Sequence, residues 1–202
     1  MDNQERLTIW ARTLKQQMVL LGGFLVLIWL LEVVDWLWWG YSLDQLGIRP
    51  RQSNGLWGIL LAPFLHGGFG HLAANTGPFL VLGWLVLVQG LRPFFYVTVT
   101  VILVSGLGVW LVAPANTVHI GASGLIFGYF GFLLLRGYFD RRASTLLLSI
   151  IVILLYGGLI WGVLPQGAGI SWQGHLFGFI GGGVAAYRLR PTTPGSSFGA
   201  QR

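Results

Sequence analysis

Charge is what this sequence has least of: Asp, Glu, Lys and Arg together make up 9% of its 202 residues. A water-soluble domain carries about a quarter. So few charges exclude an ordinary soluble fold. Cysteine is absent altogether, which removes disulfide frameworks and thiol chemistry. Acidic residues number 6 against 12 Lys and Arg, a formal net charge of +6. That balance would suit nucleic acid only if the cations gathered in one patch. They lie instead between apolar segments and near the two ends, so they report membrane topology and no nucleic-acid partner is expected. The amino terminus also lacks a short apolar run closed by a small-residue cleavage site, so the first apolar segment is expected to stay in place.

Hydrophobic residues make up 54% of the chain, with 31 glycines and 10 tryptophans spread through it. Such a composition belongs in a lipid bilayer. A helix crossing about 30 Å of hydrocarbon needs roughly 20 mostly apolar residues, and six stretches come close: 18–39, 71–89, 93–112, 121–139, 144–163 and 172–188. Gly40, Gly90, Arg92-Pro93, Pro114, Asp140-Arg141-Arg142 and Pro165 punctuate them. The alternating pattern of a membrane β-barrel is missing. The expectation is an all-α, polytopic membrane protein: residues 1–17 a cytoplasmic segment, 18–188 one six-helix membrane domain, and 189–202 a disordered cytoplasmic tail rich in Pro, Gly, Ser and Thr.

With the amino terminus in the cytoplasm, Arg6, Arg12, Lys15, Arg92, Arg136, Arg141, Arg142, Arg188, Arg190 and Arg202 fall on that side, and only Arg49 and Arg51 fall outside. This bias fits the positive-inside rule in a bacterial-type plasma membrane, with both termini cytoplasmic. It also aligns the polar residues. His71 and Asn75 open the second span, Ser123 the fourth and His175 the sixth, all entering from the outer side. They share the outer leaflet.

Hydroxyl and imidazole groups inside a membrane are expensive to keep without a use. Paired, Ser123 and His175 would make a nucleophile and its general base. Gly121, Ala122 and Gly124 leave room for a substrate backbone, while Gly124 with Gly128, and Gly174 with Gly178 and Gly182, form small-xxx-small series that draw helices close. His71 and Asn75, four apart, share a helix face. Both can donate to an oxygen that gains negative charge during acyl transfer. Taken singly, Ser123 reads as a helix-contact hydroxyl and His175 as an interfacial ring; together, at one depth, they favour chemistry. A zinc site on the histidines lacks the His-Glu-x-x-His pattern and an evident third ligand, so no metal or other cofactor is expected. A transport pathway would distribute polar residues through the full depth. His66 reads as orienting the loop.

These residues match a family. His66, His71 and Asn75 ahead of and within the second span, Gly121-Ala122-Ser123-Gly124 opening the fourth, and Gly174-His175 with Gly178 and Gly182 in the sixth resemble the rhomboid intramembrane serine proteases. The resemblance implies a six-helix bundle with its active site in the outer leaflet, and a Ser123–His175 dyad without an acidic third member. It implies an oxyanion site drawn from His71, Asn75 and the Ser123 amide, and transmembrane protein substrates cut near their outer end in the lipid bilayer. The alternative within the family is a catalytically silent protein that binds membrane clients, but such relatives lack the serine or the histidine.

Two departures stand out. Family members often carry Tyr four residues after the serine, packed on the catalytic histidine, and here Phe127 keeps the ring without the hydroxyl. Many also have Trp-Arg in the first loop where this chain has Trp57-Gly58, leaving Arg51 as the substitute anchor. Glu32 and Asp35 share a face of the first span, and one of them is expected to pair with Arg49 or Arg51. Trp36, Trp38 and Trp39 read as an interfacial belt. His119, four residues before Ser123, is left without a role.

Overall fold

The structure is a computed structural model that describes residues 2–165, 167 and 169–191. Six long helices and one short one follow in chain order: α1 Asn3–Val34, α2 Gly58–Leu61, α3 Phe69–Leu87, α4 Leu91–Val112, α5 Ser123–Asp140, α6 Ala143–Tyr156 and α7 Trp172–Arg188. Each expected span is therefore a helix. Among the described residues there is no strand, only an isolated antiparallel bridge between Ile48 and His119. The tail expected to be disordered lies outside the described residues from 192 onward.

Two helices run beyond their expected limits or change character within them. α1 starts at Asn3, where Asp2 and Glu5 form a capping box, so Arg6, Arg12 and Lys15 ride on a continuous helix. Its far end tightens into a π-helical turn, Asp35–Trp39. α6 gives way at Gly157 to a 3-10 stretch, Gly157–Val163.

Four segments are long and apolar enough to cross a membrane: Gln4–Trp39, Phe69–Leu87, Leu91–Val112 and Ala143–Val163. The chain is a multi-pass integral membrane protein. The other two long helices differ for a physical reason. α5 is buried without a break from Leu125 to Leu133. Protein surrounds α5 along that stretch, so it has no lipid-facing stripe there to keep apolar. At 18 residues it still reaches about 27 Å.

Packing of α5 on α7 depends on missing side chains. A Cβ on Gly178 would strike the carbonyl of Gly124, and one on Gly182 the carbonyl of Gly128. A Cβ on Gly131 would come 2.5 Å from the carbonyl oxygen of Phe179. Backbone thus meets backbone along the seam, the arrangement that small residues permit in membranes. α4 closes the third side, with Val101 against Gly128 and Gly181, and the ring of Phe177 on Gly108.

The long connection after α1 packs over the end of the bundle where α3, α5 and α7 begin. Its anchoring answers the two expectations about charge. Arg51 donates from Nη1 to the Leu111 carbonyl at 3.0 Å, its own amide bonds the Trp110 carbonyl, and Trp110 Nε1 donates to the Gln52 carbonyl at 2.9 Å. Gly58 needs its missing side chain, because a Cβ there would run into the backbone of Gly47. The loop is thus pinned at the end of α4 by Arg51, while Gly58 marks a close chain crossing. The expected ion pair does not form. Asp35 accepts from the Leu43 amide at 3.1 Å, and Arg49 bonds the carbonyl and side-chain oxygens of Gln45 at 3.1 and 2.7 Å. The Leu43 amide serves Asp35, and each guanidinium is taken up by oxygens of its own neighbourhood. Trp36, Trp38 and Trp39 are all more than half exposed.

Candidate active site

Helix starts supply most of the site. Gly121 holds a φ of +112°, a conformation that suits glycine, and its amide donates to the Ala62 carbonyl at 2.8 Å. That sharp turn aims the chain into α5, whose first residue is Ser123. The amide of Ala122 is held by His66 Nε2 at 3.3 Å. His66 is 1% exposed, and burial, with His71 adding a smaller effect, pushes its pKa down to about 4. A neutral ring is what can accept a backbone N–H. His66 therefore holds the loop, as its sequence position suggested.

Across the seam, Ser171 caps α7 by accepting from the Gly174 amide at 3.4 Å. Ser105 on α4 donates to the Gly174 carbonyl at 2.9 Å. These contacts fix the first turn of α7, which carries His175. The two sequence-picked side chains then meet: Ser123 Oγ lies 2.9 Å from His175 Nε2. His175 Nδ1 lies 2.9 Å from the carbonyl oxygen of Gly162. A carbonyl can only accept, so Nδ1 carries the ring proton and Nε2 is left bare toward the hydroxyl. Phe127 stacks on the ring, with centroids 4.0 Å apart and planes 4° from parallel.

His71 and Asn75 line the neighbouring helix α3. The Gly67 amide donates to His71 Nδ1 at 3.4 Å, which leaves the proton on Nε2. A Cβ on Gly121 would sit 2.9 Å from that Nε2 and 3.8 Å from Ser123 Oγ. His71 and Ser123 thus flank one small space, kept open by Gly121. Asn75 is buried and spends one N–H on the His71 carbonyl at 3.1 Å, which leaves its second N–H for another acceptor. The Ser123 amide opens a helix and has no carbonyl one turn back within it. The Ser123 amide and His71 Nε2 are therefore the donors beside the serine, with Asn75 one turn further along α3.

A family model for the Rhomboid domain matches residues 53–192, which hold every side chain of this site. The chain belongs to the rhomboid family. Among curated relatives, this rhomboid is 44% identical over 192 residues to an uncharacterized protein of Mycobacterium tuberculosis (strain ATCC 25618 / H37Rv), covering 89% of this chain and 80% of the relative. It is 45% identical over 174 residues to an uncharacterized protein of Mycobacterium leprae (strain TN), covering 82% and 68%. It is also 32% identical over 145 residues to a Bacillus subtilis (strain 168) protein named "Putative rhomboid protease YdcA", covering 70% and 71%.

Sequence reasoning missed three participants in this rhomboid's site. Ser105 and Ser171 look like ordinary membrane-helix serines, although Ser171 just ahead of an apolar helix carries an N-cap signal. The carbonyl of Gly162 had no signal, because every residue has a carbonyl.

Proposed function

We propose that this rhomboid is a serine endopeptidase that cuts transmembrane segments of membrane-anchored proteins through a Ser123–His175 dyad. The observation that carries the reading is the 2.9 Å approach of Ser123 Oγ to an imidazole nitrogen whose partner nitrogen is already committed to Gly162. In the mechanism, His175 Nε2 takes the proton from Ser123 Oγ as the oxygen bonds to a substrate carbonyl carbon. The resulting oxyanion receives hydrogen bonds from the Ser123 amide, His71 Nε2 and the free N–H of Asn75, each donor contributing about 3 kcal/mol. Collapse breaks the carbon–nitrogen bond, and His175 returns its proton to the leaving nitrogen. Water then attacks the acyl-enzyme, losing a proton to His175, which passes it back to Ser123 as the acid product departs. The Gly162 carbonyl steadies the imidazolium at each stage, standing where a triad would place a carboxylate.

Ten basic residues on one side against two on the other support cytoplasmic termini in a plasma membrane, with the site near the outer surface. A helical substrate must unwind locally before its carbonyls are open to attack.

Labelling with a fluorophosphonate in detergent tests the reading. Covalent modification of the wild type, lost in Ser123→Ala and in His175→Ala, is the expected result. A folded wild type that takes no label would favour a client-binding protein instead. Co-expression with single-span substrates, followed by mass spectrometry of the released fragment, should place the cut in the outer half of the membrane.

A further inference from the structure

This rhomboid has four histidines. His71 and His175 face the serine and His66 holds the Ala122 amide, which leaves His119. Its backbone is clamped to Ile48 in both directions, by hydrogen bonds of 2.9 and 3.0 Å. Its ring is buried and both ring nitrogens are engaged. Thr117 uses its hydroxyl hydrogen on the Pro114 carbonyl at 2.6 Å, so it can only accept from His119 Nε2, 2.8 Å away. Nδ1 is then a bare acceptor, and Ser171 Oγ at 2.6 Å donates to it. The same Ser171 oxygen accepts from the Gly174 amide, and the Ser171 carbonyl accepts from the His175 amide at 3.2 Å. Every donor in this chain of hydrogen bonds has its acceptor only with His119 neutral and protonated on Nε2.

The register of this contact repeats that of the dyad. His119 and Ser171 are 52 residues apart, and so are Ser123 and His175. His119 stands four residues before the serine, and Ser171 four before the histidine. The two contacts are parallel rungs between the segment entering α5 and the start of α7. In the first rung both imidazole nitrogens of His119 are already bonded to hydroxyls, so neither is offered to a substrate.

Resting on the protease reading, we propose that His119 is a positioning residue: through Ser171 it fixes the first turn of α7 relative to the α5 entry, and so sets the distance over which Ser123 passes its proton to His175. Proton transfer falls steeply with separation, and a displacement of about 1 Å can cost roughly a hundredfold in rate. Binding of a small electrophile needs no such alignment. Loss of the rung should therefore slow bond formation and leave affinity nearly unchanged.

Fluorophosphonate inactivation of the full-length protein in detergent separates the maximal rate, kinact, from the affinity, KI, with thermal unfolding as the check on folding. His119→Ala and Ser171→Ala are each expected to lower kinact roughly tenfold or more, with KI held within about twofold. His119→Asn, whose Oδ1 stands where Nδ1 stood and accepts from Ser171, should recover most of the rate. The double variant His119→Ala with Ser171→Ala should be no slower than Ser171→Ala alone, because that change already removes the rung together with the Gly174 cap. Folded single variants with wild-type kinact would overturn the inference. So would an Asn variant as slow as the Ala variant, or losses that multiply in the double variant. Should His119→Ala not fold, Ser171→Ala and His119→Asn carry the same test. Absence of label on the wild type would remove the protease reading itself, a different result from labelling that ignores His119.

Discussion

The rings of Phe127 and His175 lie face to face, 4.0 Å between centroids and 4° from parallel, with Gly162 closing over both. A Cβ on Gly162 would come 2.5 Å from Phe127 Cζ and 3.5 Å from His175 Nδ1. Phe127, Gly162 and His175 are therefore one packed unit. The stack holds the imidazole plane, and the Gly162 carbonyl holds its rotation and tautomer.

Phe127→Tyr adds a hydroxyl at Cζ, the atom that packs over Gly162 where a side chain would not fit. The substitution that looks conservative within the family is expected to destabilise this protein by about 1–3 kcal/mol, the usual cost of overpacking. A lower midpoint in thermal unfolding, with slower fluorophosphonate labelling, is the expected outcome. An unchanged midpoint would show that the α6 extension yields without cost.

Gly182→Ala places a methyl against the Gly128 carbonyl in the middle of the α5–α7 seam. Backbone on both sides cannot move aside cheaply, so a loss of about 1–3 kcal/mol or more is expected. Gly22→Ala provides the contrast. Nothing lies within 4 Å of a Cβ at Gly22, so the better helix former should leave stability unchanged or raise it by up to about 1 kcal/mol. Unfolding midpoints of the two variants should shift in opposite directions or by very different amounts.

His66 gives the fold an acid limit. Burial lowers its pKa from 6.5 to about 4, so the unfolded chain binds a proton over a range where the folded one does not. Stability should therefore fall as pH drops from about 6.5 toward 4, and show no loss from this group above that window. His66→Gln, which cannot charge, should flatten the acid slope in unfolding midpoints measured across that range.

Asp44 acts with the opposite sign. Burial, helped by Asp35, raises its pKa from 3.8 to about 6. The folded state keeps a proton that the unfolded state has released, so the stability this group contributes at low pH is lost as pH rises from about 4 to 6. Asp44→Asn should raise the unfolding midpoint above pH 6 and have little effect near pH 4. An Asn variant less stable than wild type at neutral pH would contradict this account.

The class of fold follows directly from composition, since a chain with so few charges must satisfy its backbone inside apolar spans. The six helices were legible for that reason. Even so, length and hydropathy together mark only four segments, because α7 has 17 residues and α5 lies among protein and tolerates glycine and polar groups. Ser123 and His175 were legible because polar side chains in lipid are costly, and because the even spacing of spans put them at one depth. Asp35 defeated a charge-matching argument, since a nearby backbone amide satisfied it first.

Sequence by itself thus determined the membrane class, the helices and which side chains were worth suspecting, for those depend on residue chemistry and on distance along the chain. Tertiary structure decided who touches whom: Gly162 on His175, Ser171 on His119, Arg51 on Leu111. Two of those three contacts use a backbone carbonyl, a group identical at every position, and the third joins residues 52 apart. Only the way α4, α5 and α7 pack with the long connection and the stretch after α6 could select them.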